Sequence, residues 1–377
     1  MQELFNDVFS RLQLYQWLLV IGLVFLFIVR MVYVLLFFGR IIFHKGPKAA
    51  ANVPVSLLMP LRNEEEHLKA HLPKLLSFEN VDYEIVAVDD FSSDNSLIVL
   101  NSYKEQHENL LVSSISQYVK QSEKLLRNLA LKAARKDWVL LIPPTANSFS
   151  PAWLSAYSSK LNETFDVAVG YSNLKGNGTF LNVLYRIESF FQQITSFGYI
   201  LNGLPYVINE TNVAFKKQKY FETRGYGNKI KEPDFNLELL INTFIQKKST
   251  ALFVSGEHAV RIQKRIGLTG FFELAAKESG LRKYLPFRIR LTQQLFNLSS
   301  LLFLPVVVAS FLFIPELWPL FAGIVLVYAV VYSVIIKKLL HRLDEPKIFL
   351  PSLMVALLRP FFKLVFRVLH RITQRIK

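Results

Sequence analysis

The chain has 377 residues, of which 51% are hydrophobic, and a formal net charge of +15 at pH 7. The absence of cysteine excludes disulfides, thiolate metal sites and a cysteine nucleophile. Nucleic acid is not an expected partner, because the positive charge is concentrated beside apolar segments: after residue 281, 14 lysine and arginine residues accompany three acidic ones.

The first predicted element is a membrane span at about residues 17–39, within an N-terminal anchor region of residues 1–50. The span is almost continuously apolar and long enough to cross a hydrocarbon core of about 30 Å. A cleavable signal peptide is not indicated, because neither a basic n-region nor a small-residue cleavage site flanks the stretch. Basic residues follow at Arg40, Lys45 and Lys48, which predicts that the chain continues in the cytoplasm.

A membrane hairpin is predicted at residues 291–340. Two uncharged apolar stretches, at about 298–314 and 317–336, are separated by Pro315-Glu316, and both outer flanks are basic. The positive-inside rule therefore predicts that both ends of the hairpin lie on the cytoplasmic side.

Residues 341–377 are predicted to form a basic amphipathic helix that lies in the membrane interface. Basic residues recur every four positions between apolar ones, which places them on one stripe of a helix; they are Arg359, Lys363, Arg367, Arg371 and Arg375. We expect such a stripe to bind anionic lipid headgroups. A fourth full span is not expected, because it would carry this charge across the membrane.

The region between these segments, residues 51–290, is predicted to be one cytoplasmic domain. Short apolar stretches alternate with amphipathic helical stretches, and the predicted strands are residues 55–61, 83–90, 109–115, 137–143 and 166–172. This alternation predicts an α/β fold with a doubly wound, mostly parallel sheet and helices on both faces. In such folds ligands bind beyond the carboxyl ends of the strands.

Polar loops follow several of these strands. Asn63 follows the first strand and is suited to cap the next helix. Asp89 and Asp90 end the second strand, and because buried carboxylates need partners, they favour a site for a ribose hydroxyl or a nucleobase edge. The turn after the fourth strand, residues 143–147, contains no carboxylate, histidine or cysteine. Asp234 lies at the entrance of a later helix.

These loops, in this order, resemble the family-2 glycosyltransferases. Members of that family have the GT-A fold and transfer a sugar from a nucleotide donor to an acceptor hydroxyl with inversion. The sequence VSLLMPLRNEE resembles the family's strand ending in Pro-x-x-Asn-Glu, YEIVAVDDFSSDNS resembles its Val-Asp-Asp-x-Ser-x-Asp-x-Ser signature, and EKLLRNLALKAARKDWVLLI resembles its lysine-led helix and next strand. The resemblance covers roughly residues 52–284.

The resemblance implies a nucleotide site made by seven residues. Four of them line the base pocket, one contacts the base, one lies near the ribose and one points towards the diphosphate; in that order they are Pro60, Arg62, Asn63 and Glu64, then Asp89, Asp90 and Lys124. The expected donor is a UDP- or GDP-sugar.

Three departures from the family pattern fall on its catalytic residues. The Asp-x-Asp that holds a metal ion is replaced at Thr145 and Asn147, so no protein metal site is predicted, and Mg²⁺ or Mn²⁺ would be held weakly, through the diphosphate and water. The position of the general base is Asp234, which follows Pro233 and is equally explained as an ordinary helix start. The Gln-x-x-Arg-Trp motif aligns with residues 274–278, where Lys277 is a possible diphosphate contact.

Two functions remain open at this point. The first is a membrane-bound glycosyltransferase with unusual or absent metal dependence, acting on a lipid-linked or envelope-glycan acceptor at the bacterial inner membrane. The second is an inactive pseudo-glycosyltransferase that serves as a membrane scaffold or nucleotide-binding regulator beside partner glycosyltransferases. Both interpretations follow from the same asymmetry, because the nucleobase-side residues are retained while the metal-side carboxylates are lost.

Overall fold

A computed structural model describes residues 12–119, 122–149, 152–230, 232 and 235–376, with the backbone alone at 148, 228 and 366–376. The chain divides into two compact units. We call His44–Tyr284 with Arg342–Asp344 the α/β unit, and Met1–Phe43, Leu285–His341 and Glu345–Lys377 the helical unit.

The α/β unit contains ten strands within the described residues. They are β1 Val55–Leu61, β2 Tyr83–Asp89, β3 Leu110–Ser114, β4 Trp138–Leu141, β5 Ala146–Ser148, β6 Val167–Gly170, β7 Ser172–Leu174, β8 Val213–Lys216, β9 Thr250–Phe253 and β10 Val260–Ile262.

Twelve α-helices follow in chain order within the described residues. They are α1 Leu14–Phe43, α2 Glu65–Leu76, α3 Ser96–Lys104, α4 Glu123–Ala133, α5 Trp153–Ser158, α6 Phe180–Leu201, α7 Lys217–Glu222, α8 Leu237–Phe244, α9 Leu268–Leu281, α10 Phe287–Phe313, α11 Trp318–Arg342 and α12 Phe349–Ile376. Helix α1 includes a π-helical segment at Val34–Gly39.

The central sheet has seven strands in the order β3-β2-β1-β4-β8-β6-β9. Strands β3, β2, β1 and β4 are parallel, as are β6 and β9, so the predicted doubly wound, mostly parallel sheet is confirmed. Strand β8 runs antiparallel to both of its neighbours and separates β6 from β4. The stretch at 166–172 was predicted to be the fifth strand of the parallel sheet. It contains β6, which lies on the far side of β8 from β4 in the sheet.

Apolar composition explains why the predicted strands form. All seven residues of β2 are buried, and six of the seven in β1 are buried, as expected for strands covered on both faces. Trp153 and Tyr157 of α5 are fully buried in the same core. Burying an aromatic side chain of this kind contributes on the order of 2–3 kcal/mol.

Asp94 fixes the starts of two helices. Its carboxylate accepts a hydrogen bond from the Ser96 N–H of α3 at 3.0 Å and another from the Glu65 N–H of α2 at 3.1 Å. The residue at the N-cap position of α3 is Asn95, so Asp94 acts from the position before the cap.

Four helices of the described chain are long and apolar enough to cross a membrane, which indicates membrane association. The spans predicted at 17–39, 298–314 and 317–336 lie within Leu14–Phe43, Phe287–Phe313 and Pro315–Arg342, apart from residue 314, which lies between the last two. The fourth helix, Pro346–Val365, meets the same criterion of length and composition. The interfacial position of residues 341–377 therefore stays a prediction.

Arg30 of α1 is held by two other helices of the helical unit. Its Nη2 donates a hydrogen bond to the Tyr328 hydroxyl at 2.7 Å, and its guanidinium lies 4.9 Å from the ring centroid of Phe303. An arginine inside an apolar span must reach water or find partners. Arg30 pairs with neighbouring helices through these contacts.

The two segments that enter and leave the α/β unit are joined at β9. Arg342 donates hydrogen bonds from Nε to the Val254 carbonyl at 2.6 Å and from Nη2 to the His44 carbonyl. The His44 ring lies 3.1 Å from the Leu252 carbonyl. These contacts hold His44, where the chain enters the α/β unit, and Arg342, where it returns to that unit, beside the same strand.

Candidate functional site

A cavity of about 600 Å³ lies at the carboxyl ends of β1, β2 and β4. Pro60 and Arg62 from the end of β1, Asp90 from the end of β2, and the turn after β4 line one part of it. Helix α4 and residues 210 and 211, just before β8, line another part. The cavity therefore occupies the place where α/β folds bind ligands.

The cavity is lined by five of the site residues predicted from the sequence, namely Pro60, Arg62, Glu64, Asp90 and Thr145. Four other predicted residues are described but do not line it, namely Asn63, Asp89, Lys124 and Lys277. Asn147 lies two residues beyond Thr145 and is not a lining residue either. The predicted base, Asp234, and Pro233 before it lie outside the described residues.

Asn63 and Asp89 join two loops that carry residues predicted to bind the nucleotide. Asn63 has φ 52°, and its Oδ1 accepts a hydrogen bond from the Ser93 N–H at 2.8 Å. The Asn63 N–H donates to Ser92 Oγ at 2.9 Å. Asp89 is 2% exposed, and its carboxylate accepts bonds from the Ser92 N–H at 3.0 Å and the Ser92 hydroxyl at 2.5 Å. Both residues therefore fix loop geometry in this structure.

Asp90 lines the cavity and carries a buried acceptor without a partner among the described residues. The residue is 6% exposed, and its Oδ2 accepts a hydrogen bond from the Ser122 hydroxyl at 2.5 Å. Its Oδ1 has no hydrogen-bond partner among the described residues. A buried acceptor without a partner costs about 1–3 kcal/mol.

Arg62 and Tyr118 form the exposed side of the cavity. The Arg62 guanidinium lies 5.1 Å from the Tyr118 ring centroid, and its Nη1 is 4.0 Å from Asp90 Oδ2. Tyr118 is 59% exposed and was not predicted from the sequence. The signal available in the sequence was an aromatic residue in the loop after β3.

Arg127 and Glu210 form a largely buried ion pair that lines the cavity. The two side chains are 9% and 19% exposed, and Arg127 Nη2 donates a hydrogen bond to Glu210 Oε1. Burial acts to lower the pKa of Arg127, but Glu210 and other neighbouring groups together raise it overall. Burial raises the pKa of Glu210, while Arg127 opposes the shift. Neither residue was predicted, although Arg127 lies one helical turn after Lys124.

The two lysines predicted to face the diphosphate are engaged elsewhere. Lys124 Nζ donates to the carbonyls of Ile230 at 3.0 Å and Glu232. Lys277 Nζ lies 2.9 Å from Glu238 Oε1. Burial acts to lower the pKa of Lys277, but Glu238 and other acidic groups raise it overall. A diphosphate role for either lysine stays a prediction.

The loop that replaces the metal-binding carboxylates is integrated into a small sheet. Ala146–Ser148 forms β5, which pairs antiparallel with β10. The Gln263 N–H donates to the Thr145 carbonyl at 2.7 Å, and the Asn147 amide donates to the Gln263 side chain. Lys264 follows and lines the cavity. Gln263 and Lys264 were not predicted, although they belong to a basic polar segment directly after a strand.

The residues around this loop do not fit a protein-held divalent cation. Thr145 offers a hydroxyl, and the Asn147 amide is bonded to Gln263. No group of three or more histidine or acidic side chains suited to a metal occurs among the described residues. Since Mg²⁺ and Mn²⁺ prefer carboxylate and water oxygens, we derive no step that depends on a metal held by the protein.

Comparisons with known proteins agree with the fold. Residues 56–201 match the model of the family described as Glycosyl transferase family 2. Poly(ribitol-phosphate) beta-glucosyltransferase of Bacillus spizizenii is 33% identical over 125 residues, which make up 32% of this chain and 19% of that protein. The mannosyltransferase PcManGT from Pyrobaculum calidifontis, solved in complex with GDP-Man and Mn²⁺, is 14% identical with a TM-score of 0.54, covering 90% of this chain and 99% of that one.

Proposed function

We propose that this chain, whose residues 56–201 match the family-2 glycosyltransferase model, is a glycosyltransferase of the GT-A fold that transfers a sugar from a UDP- or GDP-sugar to a lipid-linked or envelope-glycan acceptor with inversion. The observation that carries the proposal is the cavity at the carboxyl ends of the strands, which Asp90, Arg127 and Lys264 line together. An acceptor for the nucleoside and cations for a diphosphate are the two features that a nucleotide-sugar requires.

Substrate binding would use three parts of the cavity. Asp90 accepts a hydrogen bond from the nucleoside. Arg62 and Tyr118 cover the exposed side, where an aromatic ring and a guanidinium both offer planar surfaces to a base. The cations Arg127 and Lys264 face the charge that develops on the leaving diphosphate. Positive charge placed there in advance stabilises the transition state without a protein-held metal.

Deprotonation of the acceptor hydroxyl would fall to Asp234, as the family resemblance implies. The described residues on either side of it are fixed in place. Lys124 donates to the Ile230 and Glu232 carbonyls before it, and Phe235 after it is 3% exposed. Tyr284 donates a hydrogen bond to the Glu232 carboxylate at 2.6 Å. Lys124 thus helps to hold the segment that carries the proposed base.

The alternative is an inactive chain that retains nucleotide binding and acts as a scaffold or regulator beside partner glycosyltransferases. The observation that favours it is the loss of both carboxylates at Thr145 and Asn147, together with the absence of a metal-binding cluster among the described residues. The two proposals agree on nucleotide binding and differ in turnover.

Calorimetric titration of the detergent-purified chain with UDP and GDP tests both proposals. We expect one nucleotide to bind with affinities in Mn²⁺ and in EDTA that agree within about threefold, which corresponds to roughly 0.6 kcal/mol. Binding together with transfer from the matching sugar nucleotide supports the enzyme, and binding without transfer from any donor supports the scaffold. Absence of binding in both solutions would contradict nucleotide recognition altogether.

We also propose that the α/β unit lies in the cytoplasm and that the last helix binds anionic lipid. Replacing Arg359, Lys363 and Arg367 by Gln in a peptide of residues 351–377 should weaken binding to anionic vesicles by on the order of 3 kcal/mol, because each interfacial charge contributes about 1 kcal/mol. Vesicle co-sedimentation measures the effect. Neutral vesicles are the control, and equal binding of the original peptide to both would contradict the electrostatic contribution.

A further inference from the structure

His71 is a buried histidine on the apolar face of α2. Leu68, Leu72 and Leu75 of that face are each 1% exposed and belong to the core of the α/β unit, and His71 lies between them with 4% of its surface exposed. A leucine would fill such a position without burying a polar group, whereas a buried imidazole needs a hydrogen-bond partner. The partner is the Pro144 carbonyl, 3.0 Å from His71 Nδ1.

The imidazole is the donor in this contact. A carbonyl oxygen can only accept, so the hydrogen lies on Nδ1. Burial lowers the pKa of His71, the bond to Pro144 opposes this shift, and repulsion from His67, Lys74 and Lys175 lowers the pKa further. The ring is therefore neutral at pH 7, with its one hydrogen directed at the carbonyl.

The turn that His71 contacts forms part of the cavity wall. Its lining residues are Pro143, Pro144 and Thr145. Their three consecutive carbonyls each accept a hydrogen bond, the first from the Ala146 N–H at 3.0 Å, the second from His71 and the third from the Gln263 N–H at 2.7 Å. Two of these donors are backbone groups, so the bond from His71 is the one that depends on the identity of a side chain.

We infer that His71 is a positioning residue of the candidate site, whose Nδ1–H group fixes the turn after β4 in the place where a bound nucleoside diphosphate contacts it. The inference rests on the proposed function, because it assumes that a nucleotide enters the cavity. It extends that function from the residues that line the cavity to one that acts on the ligand through the turn.

The turn lies on the side of the cavity that the proposed function assigns to the diphosphate. Its Thr145 carbonyl accepts the bond from Gln263, and the next residue, Lys264, lines the cavity. The proposed function assigns the base to Arg62 and Tyr118, which belong to the loops after β1 and β3. Displacement of the turn should therefore weaken the binding of a nucleoside diphosphate more than the binding of the nucleoside.

The experiment measures the affinities of UDP and uridine for the full-length protein by calorimetric titration, or of GDP and guanosine if the chain prefers guanine. His71→Leu keeps an apolar side chain in the core but removes the donor. We expect it to weaken diphosphate binding by about tenfold, while nucleoside affinity changes by less than about threefold. His71→Asn should keep both affinities within about threefold of wild type, because its amide offers a donor at about the position of Nδ1.

Leu75→Ala is the matched control for stability. It removes core packing one turn further along the same face of α2, so it should lower the melting temperature without changing the ratio of diphosphate to nucleoside affinity. If it lowers that ratio as much as His71→Leu does, the effect follows from stability alone and the inference is overturned.

Two other results would also overturn the inference. One is a wild-type ratio of affinities in His71→Leu, and the other is a ratio in His71→Asn as low as that in His71→Leu. Failure of the wild-type protein to bind either ligand would instead remove the proposed function.

Discussion

Asp234→Asn is expected to lower kcat for sugar transfer by about 10²- to 10⁴-fold, the range that general base catalysis usually contributes. The asparagine cannot accept the proton of the acceptor hydroxyl, but it has nearly the same shape. Nucleotide affinity should therefore stay within about threefold of wild type, which corresponds to roughly 0.6 kcal/mol. Initial rates of transfer from the preferred sugar nucleotide, together with calorimetric titration, measure the two quantities separately.

Glu232→Gln provides the matched control for this substitution. It also neutralises a carboxylate, only two residues away, and its side chain accepts a hydrogen bond from Tyr284. A glutamine oxygen can still accept that bond, so we expect less than about a tenfold loss of kcat, which corresponds to roughly 1.4 kcal/mol. Equal losses of kcat in the two variants would mean that removing either negative charge from this segment impairs transfer. That result would contradict a specific role for Asp234.

The base assignment draws support from the position of Lys124. The family resemblance places this lysine towards the diphosphate, whereas the structure directs its ammonium at the carbonyls of residues 229, 230 and 232. Three carbonyl contacts to one ammonium hold a segment that has little regular structure of its own. The lysine can thus act on catalysis through the segment that precedes Asp234, even if it never contacts the donor.

The parts of the fold that local sequence determines were predictable. Strands β1 and β2 are largely apolar runs that end in polar loops, so the bounds of β1 followed from the pattern and those of β2 followed to within one residue, since β2 ends at Asp89 and not at Asp90. Strand β8 was missed because Val213–Lys216 is only four residues long and carries no sign of its direction. Its antiparallel insertion depends on pairing with two distant strands, β4 and β6.

The candidate site was likewise only partly predictable, because some of its contacts join residues that are far apart in the chain. Arg127 and Glu210 lie 83 residues apart in the chain, so no local spacing indicated that they would form a pair. Asn147 and Gln263 lie 116 residues apart, and their contact exists because β5 and β10 form a small sheet that the sequence did not predict. Sequence patterns indicate which residues lie at strand ends, whereas the direction of a long side chain depends on partners from other elements.

Asp89 and Asp90 provide the sharpest test of the nucleotide site, because the two adjacent residues have different surroundings. Asp90→Ala should weaken nucleoside diphosphate binding by about tenfold or more, at least roughly 1.4 kcal/mol, since it removes a carboxylate that lines the cavity. Its melting temperature should change little, because the loss of the hydrogen bond from the buried Ser122 hydroxyl is offset by the removal of a buried carboxylate oxygen that has no partner among the described residues. Calorimetry and thermal unfolding of the same preparations give both quantities.

Asp89→Ala should weaken binding to a similar extent by another route. Asp89 accepts two hydrogen bonds from Ser92, whose hydroxyl in turn accepts the bond from the Asn63 N–H. Loss of this buried carboxylate removes the contacts that join the loops on both sides of the cavity, and a hydrogen bond to a charged group contributes about 1.5–3 kcal/mol. The melting temperature should therefore fall together with the affinity. If Asp89→Ala weakens binding without any loss of stability, then Asp89 contacts the nucleotide directly, as the family resemblance implies, and the loop must rearrange when the ligand binds.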